Sequence, residues 1–183
     1  MKGSPKPIIT ADQIRHRVGE LAEEISRDFQ GRELTVIGVL KGAFVFMSDL
    51  VRQVRSPLRC DFLRVESYDN QGKSGTVRLE FDLTQPIEGQ DVLLVEDILD
   101  TGKTLRFILD HLAAKKPKSL NVCCLLDKGL VPDLRKQVRY VGFKIEPAYV
   151  VGYGLDLAGL YRELPYIGCM DPSEAGISSS RKE

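Results

Sequence analysis

Between Val92 and Leu105 the chain reads Val-Leu-Leu-Val-Glu-Asp-Ile-Leu-Asp-Thr-Gly-Lys-Thr-Leu, and the polar half of that run is rich in groups able to do chemistry. Glu96 and Asp97 are adjacent carboxylates placed where an apolar run, a buried strand, leaves its sheet. A short loop of small, hydroxylated and basic residues follows, from Asp100 through Thr101, Gly102 and Lys103 to Thr104. Leu105, Ile108, Leu109 and Leu112 then recur at helical spacing. Strand, polar loop and helix together make an anion site in a parallel sheet, because free amides at the helix start and the helix dipole favour negative charge. The two acids would repel a phosphate but suit sugar hydroxyls, so a ribose 5-phosphate across the strand end satisfies both halves. The plainer alternative is a strand exit with a helix N-cap at Asp100 or Thr101.

Two better-known phosphate motifs do not fit. A Walker loop ending in Gly102-Lys103-Thr104 requires its first glycine at the position held by Asp97. A dinucleotide fingerprint requires Gly-x-Gly-x-x-Gly, and Gly152-Tyr153-Gly154 is followed by Leu157 at the third glycine's place.

The elements that must position these groups are legible in outline. Thr10 to Gln13 matches a capping box, and Ile14, Val18, Leu21 and Ile25 form a helical stripe ending before Gly31. Leu34 to Leu40 reads as a buried strand. Lys41-Gly42-Ala43 turns it into a helix with Phe44, Met47, Leu50, Val51 and Val54 inward. Leu58 to Val65 is a second strand, residues 66–75 a loop, and Thr76 to Phe81 a half-exposed strand. Ser119 to Leu126, Tyr140 to Phe143 and Tyr149 to Gly152 complete the strands. Alternation of strands and helices predicts an α/β fold, a doubly wound, mainly parallel sheet with flanking helices. Lys41, Glu96, Asp97 and Lys128 each follow an apolar strand run, so they converge on the sheet edge where such folds bind ligands.

The chain has 183 residues, 43% of them hydrophobic, which suits one domain. A core over about 8–128, a hood from the N-terminal segment and about 129–171, a flexible loop over about 66–78 and a mobile tail over 172–183 are expected. Residues 1–7 read as a polar lead-in. Lys and Arg total 26, as do Asp and Glu, which argues against a broad nucleic-acid surface. The four cysteines show no Cys-x-x-Cys spacing, and neither a secretory signal nor a membrane-length apolar run occurs. A cytoplasmic protein with free thiols is expected.

The run Glu96 to Leu105 resembles the phosphoribosyl-pyrophosphate signature of type I phosphoribosyltransferases. Leu40-Lys41-Gly42-Ala43, Glu66-Ser67-Tyr68, Leu126-Asp127-Lys128 and Val150 to Asp156 resemble, in order, the other motifs of hypoxanthine-guanine phosphoribosyltransferases. The resemblance covers about Ile8 to Asp171. It implies transfer of a 5-phosphoribosyl group from its pyrophosphate donor to N9 of a 6-oxopurine, and a homodimer or homotetramer. It assigns Asp100 to the proton on the purine N7, and Glu96 and Asp97 to the ribose hydroxyls, directly or through Mg2+. Ile98 falls within that signature. Thr101, Gly102, Lys103, Thr104 and the Leu105 amide would cradle the 5-phosphate. Lys41-Gly42 would meet the pyrophosphate, with a non-proline cis bond before Lys41, as would Arg162. Asp156 would be a further magnesium ligand. Lys128 would donate to the purine O6, Tyr149 would stack on the base, and the Val150 carbonyl would accept from guanine's 2-amino group. Ser67 and Tyr68 would lie on a closing lid.

Local alternatives stand beside these roles: Gly42 as a turn, Lys103 and Arg162 as solvated charges, Tyr149 and Val150 as core residues, Ser67-Tyr68 as a loose hairpin. None of Glu96, Asp97 and Asp156 has a cationic partner evident in the sequence. Ala43 stands where many relatives carry a second glycine, and Glu66 where some carry a basic residue. His16 and His111 receive no catalytic role. Two rival functions remain, an RNA-binding regulator that senses the sugar donor and an enzyme for adenine, xanthine or a pyrimidine.

Overall fold

The computed structural model describes residues 5–70, 73–134 and 137–170, without the side chains of 67–76. Among these residues the chain forms β1 (Lys6–Ile9), α1 (Ala11–Asp28), β2 (Leu34–Leu40), α2 (Phe44–Val51), β3 (Leu58–Asn70), β4 (Lys73–Phe81), β5 (Asp91–Leu99), α3 (Lys103–Ala114), β6 (Ser119–Asp127), β7 (Val138–Lys144), β8 (Val150–Val151) and β9 (Ile167–Cys169). A six-stranded sheet runs β4-β3-β2-β5-β6-β7, and a smaller one runs β1-β9-β8. In the large sheet only β3 and β4 pair antiparallel.

Strand alternation sends successive side chains to opposite faces, and each face has its own cover. Leu34, Val36, Leu93, Val95, Cys123 and Leu125 pack with the apolar stripes of α1 and α2. Ile37, Val39, Val92, Leu94, Val122 and Cys124 pack instead with Leu105, Ile108, Leu109 and Leu112 of α3. The sheet is therefore covered on both sides, the expected doubly wound arrangement. The α1 stripe and the Thr10–Gln13 capping box both form as the sequence predicts.

Several expectations need correction. The polar lead-in is structured from Lys6, because β1 pairs with β9. The loop expected over 66–75 is largely strand: β3 continues to Asn70 and pairs with β4, Glu66 opposite Arg78. Phe44 is exposed rather than inward, and Phe46 takes the core position with Met47 and Leu50. β7 extends the main sheet beside β6, so that strand of the segment after Lys128 does not belong to the small sheet of β1, β9 and β8. Among the described residues no helix is long and apolar enough to cross a membrane.

Candidate active site

β5 creates the site by outrunning one of its neighbours. It pairs with β2 only as far as Gly38 opposite Val95, whereas it pairs with β6 to Leu99 opposite Asp127. Past Val95 the strand runs on without β2 paired to it. Glu96 and Asp97 lie in this continuation of the strand, not beyond its end as expected, so they leave opposite faces of it. Asp97 turns toward the connection between β2 and α2. A Cβ placed on Gly42 would lie 1.5 Å from Asp97 Oδ2, so the backbone there has no room for a side chain. Gly42 is thus more than a turn residue. The peptide between Leu40 and Lys41 is cis, as the resemblance implies. Ala43, the departure from the double glycine, has φ −78° and is fully buried, so its methyl is core packing.

Both acids are held at unusual cost. Glu96 is buried and its Oε2 has no hydrogen-bond partner. Burial and the neighbouring Asp97 charge raise its pKa well above that of an ordinary glutamate. Asp97 is pushed up to about 6, first by burial; the Ile98 amide and the Arg162 guanidinium oppose the shift and Asp156 adds to it. A buried carboxylate oxygen without a donor fits a site that receives hydroxyl or cationic partners from a ligand.

The loop after β5 ends at Gly102, the residue before α3, with φ 74° and no side-chain cap. Neither Asp100 nor Thr101 caps the helix, so that alternative fails. The left-handed φ favours glycine, and a Cβ would also stand 2.5 Å from Leu134 Cδ1. A missing side-chain cap forgoes about 1 kcal/mol, while each buried Leu or Ile of α3 contributes about 1.5–3 kcal/mol, so packing holds the helix and leaves its first amides for a ligand. A cavity of about 220 Å³ lies there, lined by Glu96 to Gly102 with Thr104 and Leu105. Lys103 is exposed and Ile98 partly buried on the cavity wall.

At the ends of adjacent strands β5 and β6, Lys128 Nζ donates to Asp100 Oδ2 at 2.7 Å. Sequence reasoning treated these two residues separately, although their neighbouring strands bring them together. Tyr149 is exposed, and its carbonyl accepts from the Met170 amide at 3.0 Å. Val150 is buried opposite Cys169 in edge strand β8. Ser67 and Tyr68 fall in β3, with side chains outside the described residues.

Asp156 does have a cationic partner: Arg162 Nη2 lies 2.5 Å from its Oδ1, and the Gly159 amide donates to Oδ2 at 2.7 Å. Arg162 is therefore not a merely solvated charge. Among the described residues no three His, Cys, Asp or Glu side chains form a metal-holding group. His16 pairs with Glu20 and His111 with Asp82, both away from the site residues. A further contact absent from the sequence reading is Gly154 on Gly42, where a Cβ would meet the Gly42 carbonyl oxygen at 2.2 Å. The paired glycines around Tyr153 were its available signal.

Comparison with known proteins gives this geometry a family. The phosphoribosyl transferase domain family matches residues 10–157. The bifunctional protein TilS/HprT of Listeria monocytogenes is 43% identical over 168 residues, which are 91% of this chain but 26% of that protein, so the chain spans about a quarter of this relative. The hypoxanthine-guanine phosphoribosyltransferase of Mycobacterium tuberculosis is 43% identical over 172 residues, 90% of this chain and 85% of that protein. A crystal structure of a hypoxanthine-guanine phosphoribosyltransferase from Bacillus anthracis superposes with a TM-score of 0.86 at 44% identity, covering 92% of this chain and 100% of that one. Identity of this level over most of the Mycobacterium and Bacillus proteins, on a shared fold, means that the chain belongs to the hypoxanthine-guanine phosphoribosyltransferases of the phosphoribosyl transferase domain family.

Proposed function

We propose that the protein transfers the 5-phosphoribosyl group of phosphoribosyl pyrophosphate to N9 of hypoxanthine or guanine, giving IMP or GMP and pyrophosphate. The observation that carries this reading is the pairing of Lys128 with Asp100 beside the uncapped start of α3. A 6-oxopurine presents O6, an acceptor, next to N7–H, a donor. An adjacent ammonium and carboxylate complement that edge, whereas adenine would set its 6-amino donor against Lys128.

In the reaction the bond from ribose C1 to the pyrophosphate oxygen breaks with its electrons on pyrophosphate, the N9–C1 bond forms, and Asp100 takes the N7 proton. The Leu105 amide, Thr101, Gly102, Lys103 and Thr104 hold the 5-phosphate. Glu96 and Asp97 hold the ribose hydroxyls. Lys41, Gly42 and Arg162 meet the pyrophosphate; Tyr149 and the Val150 carbonyl read the base; Ser67 and Tyr68 cover the site. Mg2+ suits the buried, donor-poor carboxylate of Glu96 together with Asp97, and Asp156 on the pyrophosphate side. When bound it would neutralise the donor's charge and so favour departure of the leaving group. Magnesium retains waters and needs few protein ligands, which fits the lack of a three-residue cluster among the described residues.

The described residues act as one domain with a hood of β1, β9 and β8. A second copy of the chain is the proposed partner: exposed Phe44 borders a groove of about 840 Å³ that Ile14, Val18, Val45 and Leu164 line with apolar surface. Free cysteines at 60, 123, 124 and 169 suit a reducing cytoplasm. Steady-state kinetics with hypoxanthine, guanine, xanthine, adenine and uracil, with and without magnesium, test the function. Nucleotide formation from the 6-oxopurines alone, and only with the metal, is expected; absence of nucleotide from hypoxanthine and guanine refutes it.

A further inference from the structure

We propose that the hydrogen bond between Tyr153 and Asp49 is a positioning strut that sets the pyrophosphate end of the site; this rests on the function proposed above. Tyr153 lies outside the set of residues lining the cavity at Glu96 to Leu105. It is buried in the core cluster shared with α1 and α2, and its Oη donates to Asp49 Oδ2 at 2.7 Å. The other carboxylate oxygen of Asp49 takes Arg52. Asp49 sits on α2, about 7.5 Å along the helix from its first residue Phe44 at a rise of 1.5 Å per residue, and the Gly42 turn leads into that end.

The loop carrying Tyr153 touches that same turn at its other end, through Gly154 on the Gly42 carbonyl. Between the two contacts the backbone is committed. Gly152, Tyr153 and Gly154 have φ of 97°, 51° and 100°. The Tyr153 amide donates to the Leu164 carbonyl at 2.8 Å and the Gly154 amide to the Arg162 carbonyl at 3.0 Å. Arg162 Nη1 returns to the Gly154 carbonyl at 2.5 Å, and Nη2 holds Asp156. Gly154 on Gly42 and the Tyr153 ring packed in the core set two points of contact between this unit and α2 with its preceding turn. The bond to Asp49 adds a directional, polar one, and so sharpens the placement of Arg162 and Asp156 relative to Gly42. Positioning at this scale matters, since a 1 Å misplacement can cost about 10²-fold. A phenylalanine would fill the same core space, so the hydroxyl is what carries the effect.

The test uses the full chain and measures the dissociation constant of magnesium pyrophosphate, the KM for phosphoribosyl pyrophosphate, the KM for hypoxanthine and the Tm. Tyr153→Phe and Asp49→Ala should each raise the pyrophosphate Kd and donor KM about three- to tenfold, about 0.6–1.4 kcal/mol, with the hypoxanthine KM unchanged. The double variant should be no worse than either single, and Asp49→Asn, which keeps an acceptor, should stay near wild type. A lowered Tm with unchanged pyrophosphate Kd and donor KM would make the pair a fold contact only and overturn the strut, while leaving the function standing. Wild-type protein that binds no pyrophosphate would overturn the function and the strut together.

Discussion

Replacing Asp100 by asparagine separates proton transfer from everything else this residue could do. Asparagine keeps the size of the side chain and can still accept from Lys128, but it cannot take the N7 proton. Loss of a general base lowers turnover by about 10²–10⁴-fold, or about 2.7–5.4 kcal/mol of transition-state stabilisation. The ion pair with Lys128 is worth far less. Asp100 is 46% exposed at its side chain, so solvent screens the pair and its loss amounts to about 0.2–1 kcal/mol. That corresponds to a fall in Tm of at most about 4 °C for a chain of this size. Activity should therefore collapse in a protein that remains folded. The assay is steady-state nucleotide formation from hypoxanthine, with donor affinity measured separately and the Tm recorded on the same preparation. Turnover within about threefold of wild type, combined with weakened donor binding, would place Asp100 in the phosphate loop and refute its role as base.

Lys128→Gln should weaken discrimination against adenine and raise the hypoxanthine KM, by about 1.5–3 kcal/mol for one charged hydrogen bond; unchanged base selectivity in competition assays would count against its assignment. Gly42→Ala forces a methyl onto the Asp97 carboxylate, so donor-dependent activity should fall about 10²-fold while circular dichroism stays native, and full activity would sink the steric account. Burial holds Glu96 and Asp97 above their unfolded pKa values, Asp97 at about 6, so these two groups hold more protons in the folded chain than in the unfolded one from about pH 4 upward, and their contribution to stability falls as pH rises through that window. The Tm of the ligand-free protein should drop from pH 5 to 7, and less steeply in Glu96→Gln; equal slopes would contradict this. Asp82, held near pKa 2 with Lys115 and His111 beside it, has already lost its proton there and does not mask the effect.

The secondary elements are mostly local properties, and the sequence by itself determined them. Every residue of the run Leu34–Leu40 but the last, and the stripe of Leu105, Ile108, Leu109 and Leu112, are buried as their spacing predicts, because strand and helix periodicity dictates which side chains share a face. The order of polar motifs along the chain likewise identifies the family without coordinates. The sequence brings Lys41, Glu96, Asp97 and Lys128 to one sheet edge, but which side chains touch is a matter of tertiary structure. The N-terminal segment is expected in the hood from the sequence, but the pairing of β1 with β9 is read only from the structure. Lys128 meets Asp100 from 28 residues away because β5 and β6 are neighbours in the sheet, a matter of strand order. Arg162 pairs with Asp156 only because the chain doubles back at Gly159. Gly42 reads from the sequence as a pyrophosphate contact or a turn, and only the structure shows the Asp97 carboxylate in the space of its missing side chain. Each of these depends on a distance between separate backbone segments, and a pattern of residue types along one segment does not carry that distance.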